Sequence, residues 1–431
     1  MVFKLTPGGT ETVLYSFCSL SNCSDGAEPF AGLIADSAGN LYGTASAGGT
    51  SGNGVVFKLA PGGTETVLHA FAGVPDGAIP YAGLIADSAG NLYGTTFEGG
   101  ASNDGVVFKL APPTPPATSW NETVLYSFMG SGGGYPTAGL IADSAGNLYG
   151  TTKSLNGTSG TVFRLAPGGT ETVLYSFCSL SNCSDGAAPA AGLIADSAGN
   201  LYGTTYSGGA TGFYGTVFKL APPIPPATSW TETVLYSFGL CSPGSPCSSA
   251  EHPLAGLIAD SAGNLYGTTI TRASGFGVAF ELAGTGFVPD VPFAAFSPTA
   301  MIDFGTTPDT DAFILKSSFT LGSTSKGIDP LAQPVTFQIG TLALTIPPGS
   351  FTGTVTSSAF GPFTFTGTIN GVSLHAAIAP TGTKRFSFQA GEQNASLTGT
   401  VNPVPVTLTI GNNNGTASVS ATLATASATT H

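Results

Sequence analysis

Charged residues are scarce. Asp, Glu, Lys and Arg together make up 8% of 431 residues, and the shortage is greatest for positive charge, with 11 Lys and Arg against 24 Asp and Glu. A chain of net charge −13 without any basic run is a poor partner for nucleic acid or an anionic membrane surface, and both are excluded as ligands. Apolar runs of about 18 residues are also missing, which excludes a membrane-spanning helix. The opening "MVFKL" carries no secretion signal and is already the middle of a repeat, so the natural start, and any export signal with it, are expected upstream.

Chemistry-bearing residues are thinly spread. The four histidines, His69, His252, His375 and His431, are scattered, and His69 stands where the other copies of its segment carry Tyr, an aromatic-for-aromatic exchange on a strand. No Ser or Cys sits in a recognisable His-partnered context. Paired carboxylates across a central cleft are the other catalytic option, because propeller enzymes acting on glycans use two acids. The repeated acids include Glu11, Glu65, Glu122, Glu171 and Glu232, and a residue present once per repeat serves the repeat. The singular acids Glu28, Glu98, Asp104 and Glu251 fall in variable loops without evident partners. The expectation is therefore a protein without catalytic residues, without a cofactor and without a metal.

What the chain has in plenty is Gly, 62 residues, and Pro, 31, beside a 42% hydrophobic content. That mixture suits many short strands joined by tight turns. The phrase "GLIADSAGNLYGT" begins at residue 32 and returns at 83, 139, 192 and 256. Its Asp recurs as Asp36, Asp87, Asp143, Asp196 and Asp260, at spacings of 51, 56, 53 and 64 residues. Each interval holds four strand-like runs, "GLIAD", "NLYGTT", "VVFKL" or a variant, and "ETVLYSF". "DSAGN" reads as the turn between the first two: the Asp can bind backbone amides across it, and Gly39, Gly90, Gly146, Gly199 and Gly263 can take the positive φ of a tight reversal. A calcium loop would need more oxygen ligands than this segment offers.

A single four-stranded sheet cannot cover both its faces and must stack on a neighbour. The fold expected is all-β: a β-propeller of four-stranded repeats over residues 1–287, with about five blades or as part of a larger ring, then a β-sandwich over 288–425 and a loose tail over 426–431. The third strand occurs six times and the others five, so closure by the N-terminal strands completing the last blade leaves one third strand over. In the second domain "PVTFQIGTLALTIP" alternates Val335, Phe337 and Ile339 to one side, and Asn370–Gly371 divides two strand-like runs.

The six cysteines form local pairs, Cys18 with Cys23, Cys178 with Cys183 and Cys241 with Cys247, and two repeats lack both members. Thiols gained and lost together are the mark of disulfides, which point to an oxidising compartment such as the cell surface or periplasm.

"GLIADSAGNLYGTT", a Gly-rich loop, "GTVFKL" and "ETVLYSF" together resemble the GloVer tandem repeat of bacterial choice-of-anchor proteins, over residues 1 to about 287. The resemblance implies an exported bacterial protein, held at the surface by a C-terminal device, with no assigned enzymatic activity. In a propeller the fourth-to-first and second-to-third connections emerge together, and these are the segments that vary here. They carry Tyr81, Phe97, Tyr135, Tyr206, Phe213 and Tyr214, aromatic surface suited to an extracellular glycan or protein, or else buried spacers. The function expected is non-catalytic extracellular recognition, adhesion or surface organisation through these loops. The alternatives are a secreted glycan-active enzyme with an accessory sandwich, and a purely structural envelope component.

Overall fold

The computed structural model describes residues 1–431 apart from 115, 131–132, 144, 154–158, 211–212, 224–226, 240–249, 273–276, 290, 293, 305–310, 323–324, 326–327, 341, 354, 357–358, 361, 370–371, 383, 396, 398–403, 412, 420–421 and 426–431. The pair Cys241 and Cys247 and the tail expected over 426–431 lie outside the described residues. Two compact units emerge. The first comprises Met1–Ala195, Gly199–Asp260 and Asn264–Phe287, and the second comprises Val288–His431 with Asp196–Ala198 and Ser261–Gly263.

The first unit is a series of antiparallel sheets, one per repeat, with strands in sequence order. Ile34–Ala35, Leu41–Ala45, Val55–Leu59 and Glu65–Ala70 make the first four-stranded sheet. Three more follow the same plan, with third strands Val106–Ala111, Thr161–Leu165 and Thr216–Ala221. This is the four-stranded blade that the repeat foretold. At the N-terminus Val2–Leu5 pairs with Glu11–Tyr15 in a two-stranded sheet. At the other end Ile258–Ala259, Leu265–Arg272 and Ala279–Leu282 form a sheet to which Ala250–Pro253 adds an edge. Among the described residues no strand pairing joins these two ends. Ala279–Leu282 already holds the third-strand place of the last sheet, so Val2–Leu5 is the surplus third strand that the repeat count left over.

The repeated letters each have a physical task. The third-strand Phe lies across its neighbouring strand and is met edge-on by the Phe that ends the preceding repeat's fourth strand. The pairs are Phe17–Phe57 (4.7 Å between centroids), Phe71–Phe108 (5.2 Å), Phe128–Phe163 (5.2 Å), Phe177–Phe218 (4.9 Å) and Phe238–Phe280 (5.2 Å). Such a pair adds about 0.5–1.5 kcal/mol beyond the area it buries. The ring leaves no room for a side chain on the cross-strand residue, which is the Gly of "NLYGT". A Cβ on Gly203 would stand 2.7 Å from Phe218 Cζ and 3.0 Å from Leu193 Cδ2. The Thr beside that Gly then bonds forward: the hydroxyls of Thr44, Thr95 and Thr151 donate to the carbonyls of Ala82, Ala138 and Ala191 in the next repeat, at 2.8, 3.0 and 3.0 Å.

The "DSAGN" turn uses every oxygen of its Asp. Asp87 Oδ1 accepts from the amides of Ala89 and Asn91, while Oδ2 accepts from Asn91 Nδ2 and the Tyr93 hydroxyl. Asp36 and Asp143 repeat the full set. Asp196 accepts from the Ala198 amide, and Asp260 from Asn264 and Tyr266. Gly39, Gly90, Gly146, Gly199 and Gly263 all take positive φ, between 77° and 85°.

The second unit holds a five-stranded and a six-stranded sheet. Val335, Phe337 and Ile339 from the first, with Phe313, Leu315, Phe363 and Phe388 from the second, are buried in one common core. Ile369 pairs with Val372 across the Asn370–Gly371 position.

One feature of the fourth strands bears on pH. Burial, followed by the charges of Asp25 and Asp185 respectively, pushes the carboxyls of Glu65 and Glu232 up to about 7. Burial raises Glu122 and Glu171 as well, and the Oε1 atoms of Glu65, Glu122 and Glu232 are buried without a hydrogen bond. A carboxyl raised on folding binds its proton more tightly in the native state, so its stabilisation is complete below 4.5 and is lost as pH rises through about 7.

Two outcomes follow for denaturant unfolding. Gly203→Ala should cost about 1–3 kcal/mol by overpacking, whereas Gly168→Ala, with nothing within 4 Å of its added carbon, should be close to neutral. Equal effects would refute the Phe-over-Gly account. The wild type should lose stability between pH 5 and pH 8, and Glu65→Gln with Glu232→Gln should flatten that slope; an unchanged slope would mean these carboxyls ionise freely.

Candidate functional site

Each repeat enters its first strand through a residue followed by proline: Glu28–Pro29, Ile79–Pro80, Tyr135–Pro136, Ala188–Pro189 and His252–Pro253. The five residues ahead of proline all have left-handed backbones, with φ of 57°, 58°, 57°, 53° and 57°. For a β-branched residue such as Ile79 this conformation is a true outlier and costs on the order of 1–3 kcal/mol. Two contacts hold it. The proline seats on the Gly before the preceding repeat's third strand, where a Cβ on Gly215 would stand 2.9 Å from Pro253 Cδ. The left-handed residue also bridges two loops: the Tyr135 amide donates to the Asp104 carbonyl at 2.7 Å, and its carbonyl accepts from the Lys153 amide at 3.3 Å. The same pair of bonds recurs around Ile79 and Ala188.

This frame fixes a row of side chains along one rim of the unit. Phe30 lies 5.8 Å from Tyr81, Tyr81 lies 5.4 Å from Phe97, and Phe97 lies 5.2 Å from Tyr135, ring centre to ring centre. From Tyr135 the carbonyl-to-amide bond leads to Lys153, whose ammonium stands 5.8 Å from the Tyr206 ring centre. Tyr206 stacks on His252 at 4.5 Å and 22°, and the His252 Nδ1 donates to the Tyr206 carbonyl at 2.9 Å. Tyr214 and Phe213 continue the row, at 6.1 Å from His252 and 6.4 Å from each other. Phe30 is 67% exposed and Phe213 69% exposed, so both ends of the row face water.

Of the aromatic residues singled out in the sequence, Tyr81, Phe97 and Tyr135 therefore meet in one group, and Tyr206, Phe213 and Tyr214 in another. Sequence reasoning passed over Phe30, Lys153 and His252. The signal that could have found Phe30 and His252 is the short frame "EPF", "IPY", "YPT", "APA" and "HPL", three residues wide and once per repeat, and Lys153 stands out only as the irregular residue after "LYGTT". Three singular acids belong to the same rim: Glu28 is itself a left-handed frame residue, Glu98 follows Phe97, and Glu251 precedes His252 with its Oε1 buried. Asp104 is occupied differently, its carboxylate accepting from the Gly130 amide at 2.8 Å.

A second set of acids is structural. Disulfides join Cys18 to Cys23 and Cys178 to Cys183, and each closes a loop over a fully buried Asp. Burial works to raise the Asp25 carboxyl, but the amide and hydroxyl of Ser19, the Tyr15 hydroxyl and the Leu20 amide together outweigh it and hold it down to about 2. Asp185 has the same partners in Ser179, Tyr175 and Leu180. In one of the two repeats without cysteine, Asp76 takes the place, and His69 Nε2 bonds it at 3.1 Å where Asp25 and Asp185 use a Tyr hydroxyl. His69 is thus more than an aromatic exchange, since it keeps the hydrogen bond of the residue it replaces. Among the described residues no group of three or more His, Cys, Asp or Glu is placed to hold a metal ion. No helix there is long and apolar enough to cross a membrane.

Three solved structures similar to this chain are all of glycan-active enzymes. One is a GH43 glycoside hydrolase engineered to show both endo-xylanase and exo-arabinofuranosidase activity, 10% identical, covering 91% of this chain and 90% of its own at a TM-score of 0.30. Another is the polysaccharide lyase Uly1, 12% identical, with coverage of 85% and 90% and a TM-score of 0.32. The third is a xylan beta-1,4-xylosidase from Bacillus Halodurans C-125, 10% identical, with coverage of 92% and 90% and a TM-score of 0.32. The expectation of non-catalytic recognition, adhesion or surface organisation is corrected here, because these relatives side with the stated alternative, a glycan-active enzyme. At such scores the likeness carries no chemistry across by itself, and the residues of the rim must supply it. No curated protein matches the chain. A family model described as the Gloeobacter/Verrucomicrobia repeat matches residues 1–183 and again 113–330, and on that extent the chain belongs to the Gloeobacter/Verrucomicrobia repeat family.

Proposed function

We propose that the chain is a glycan-active enzyme working outside the cell, on a polysaccharide that lies along the aromatic rim. The observation that carries this reading is the unbroken run Phe30–Tyr81–Phe97–Tyr135, four rings at successive spacings of 5.8, 5.4 and 5.2 Å over three repeats. Rings in series suit a chain of sugars, because each pyranose offers an apolar C–H face to an aromatic surface while its hydroxyls stay hydrated. The disulfides support an oxidising, extracellular setting.

Cleavage of a glycosidic bond by water needs one carboxylic acid to protonate the departing oxygen and one carboxylate to take a proton from water or to attack the sugar. Glu28 and Glu98 are the acids assigned to these roles. Both break the repeat, and both adjoin the aromatic run in the chain, Glu28 two residues before Phe30 and Glu98 directly after Phe97. Glu28 is held on a left-handed backbone whose carbonyl accepts from the Ser46 amide at 3.1 Å, which fixes its place without engaging its carboxyl.

The test is release of new reducing ends from a panel of plant and algal polysaccharides, with the full chain and its disulfides intact. Activity is expected on at least one polymer, and Glu28→Gln and Glu98→Gln should each lower kcat by at least about 100-fold. Tyr81→Ala should act mainly on KM. Silence on every polymer, or full activity in both Gln variants, would end this assignment.

A further inference from the structure

Lys384 and Arg385 are the one pair of adjacent bases in the sequence. They stand in the second unit, where the strand Val372–Gly382 turns into the strand Arg385–Ala395 of the six-stranded sheet. Their tasks differ. The Lys384 backbone is left-handed, with φ of 55°, and its carbonyl accepts from the Leu321 amide at 2.9 Å. Its Nζ donates to the Gly322 and Ser325 carbonyls at 3.4 and 3.5 Å, so backbone and side chain alike tie the turn to the neighbouring loop. Backbone strain persists where the surroundings hold it, and it clusters at ligand sites. Here it fixes the start of the strand that carries Arg385.

Arg385 lines a cleft of about 320 Å³ at that end of the sheet. Ala295, Thr320 and Arg385 stand side by side on three adjacent strands, with Ser318 two residues before Thr320 on the same face. Thr381 joins them from the irregularity at Pro380–Gly382, where the strand slips register against its neighbour; such a bulge re-aims a side chain. Phe319 and Phe386 stack beneath at 5.4 Å and 19°, both buried, and lock together the two strands that carry Thr320 and Arg385. The polar groups above them are uncommitted. Among the described residues, the Arg385 guanidinium and the hydroxyls of Ser318, Thr320 and Thr381 form no hydrogen bond or ion pair within the chain. In a protein of net charge −13, no acid is among the described residues that line this cleft.

We infer that this cleft binds a single acidic sugar residue, with its carboxylate or sulfate ester on Arg385 and its hydroxyls on Ser318, Thr320 and Thr381. The volume is at the small end of ligand pockets and suits one ring rather than a length of polymer. A guanidinium presents a planar fork that meets a carboxylate or a sulfate through two parallel bonds. Three hydroxyls, each able to donate and to accept, complement a partner that is itself rich in hydroxyls. One free guanidinium balances one charge, so a phosphate monoester, with about two charges at neutral pH, fits less well. The site lies in the second unit and stands whether or not the aromatic rim cleaves a glycan.

Saturation-transfer NMR titration of the full chain with galacturonate, galactose 6-sulfate, galactose 6-phosphate, galactose and acetate reads the site without turnover. Galacturonate or galactose 6-sulfate should bind at least about tenfold more tightly than galactose, acetate and galactose 6-phosphate, with the margin shrinking as salt rises. Arg385→Gln should remove that margin, and Thr381→Val should weaken binding about threefold by removing one hydrogen bond. Lys316, an exposed base two residues before Ser318, does not line the cleft, so Lys316→Gln should change nothing. Binding of galacturonate alone assigns a carboxylate, of galactose 6-sulfate alone a sulfate ester, and of both a site that reads a single charge. The inference is overturned if neither acidic sugar binds, if galactose, acetate or the phosphate binds as tightly, or if Arg385→Gln leaves the affinities unmoved.

Discussion

Everything in the repeat unit depends on one phenylalanine per repeat, held between a glycine of its own sheet and a phenylalanine of the sheet before it. Phe57, Phe108, Phe163 and Phe218 are fully buried in this way. The constraint has two consequences for sequence. The Gly of "NLYGT" cannot change, because a Cβ there would enter the ring, and the spacing of the strands cannot change, because the ring must meet its partner edge-on. A thirteen-residue phrase written five times is the result of one packing solution used repeatedly.

That rigidity is what allows the rim to vary. The five left-handed residues ahead of proline share φ within a few degrees, although they are Glu28, Ile79, Tyr135, Ala188 and His252. At Ile79, Tyr135 and Ala188 the bridging hydrogen bonds go through backbone atoms, and the proline packs on a glycine, so the frame places few demands on the side chain. His252 adds a bond of its own from Nδ1 to the Tyr206 carbonyl. Strain of this kind persists only where the surroundings over-determine it. Here they do so once per repeat, which yields five mounting points that accept an acid, an aliphatic, a phenol, a methyl group or an imidazole.

The strands and the "DSAGN" turn were legible because each is local: alternation and turn chemistry can both be read within about ten residues. The turn Asp was legible down to its role, since both its donors and its oxygens lie within six residues of it. What escaped was whatever joins one repeat to the next. Phe30 and Tyr81 are 51 residues apart, Lys153 and Tyr206 are 53 apart, and nothing local in either segment announces the other. His69 escaped for a different reason. Its partner Asp76 lies only seven residues away, but the bond is recognisable only beside Tyr15–Asp25 and Tyr175–Asp185, which perform the same task with a hydroxyl.

The two end sheets show what the packing solution is worth when it is left incomplete. Phe3 and Leu5 occupy the positions of Phe57 and Leu59, yet they are 53% and 60% exposed where their equivalents are 0% and 1%. Ile258 in the last sheet is likewise 69% exposed. The same residues on the same strand are core or surface according to whether a neighbouring sheet covers them, so the stability of a repeat resides largely in its contacts with the next one. A sheet covered on both faces by its neighbours therefore costs more to open than one covered on a single face. Tyr81, Phe97, Tyr135 and Lys153 rise from sheets covered on both faces, so the rim they form rests on fully packed repeats.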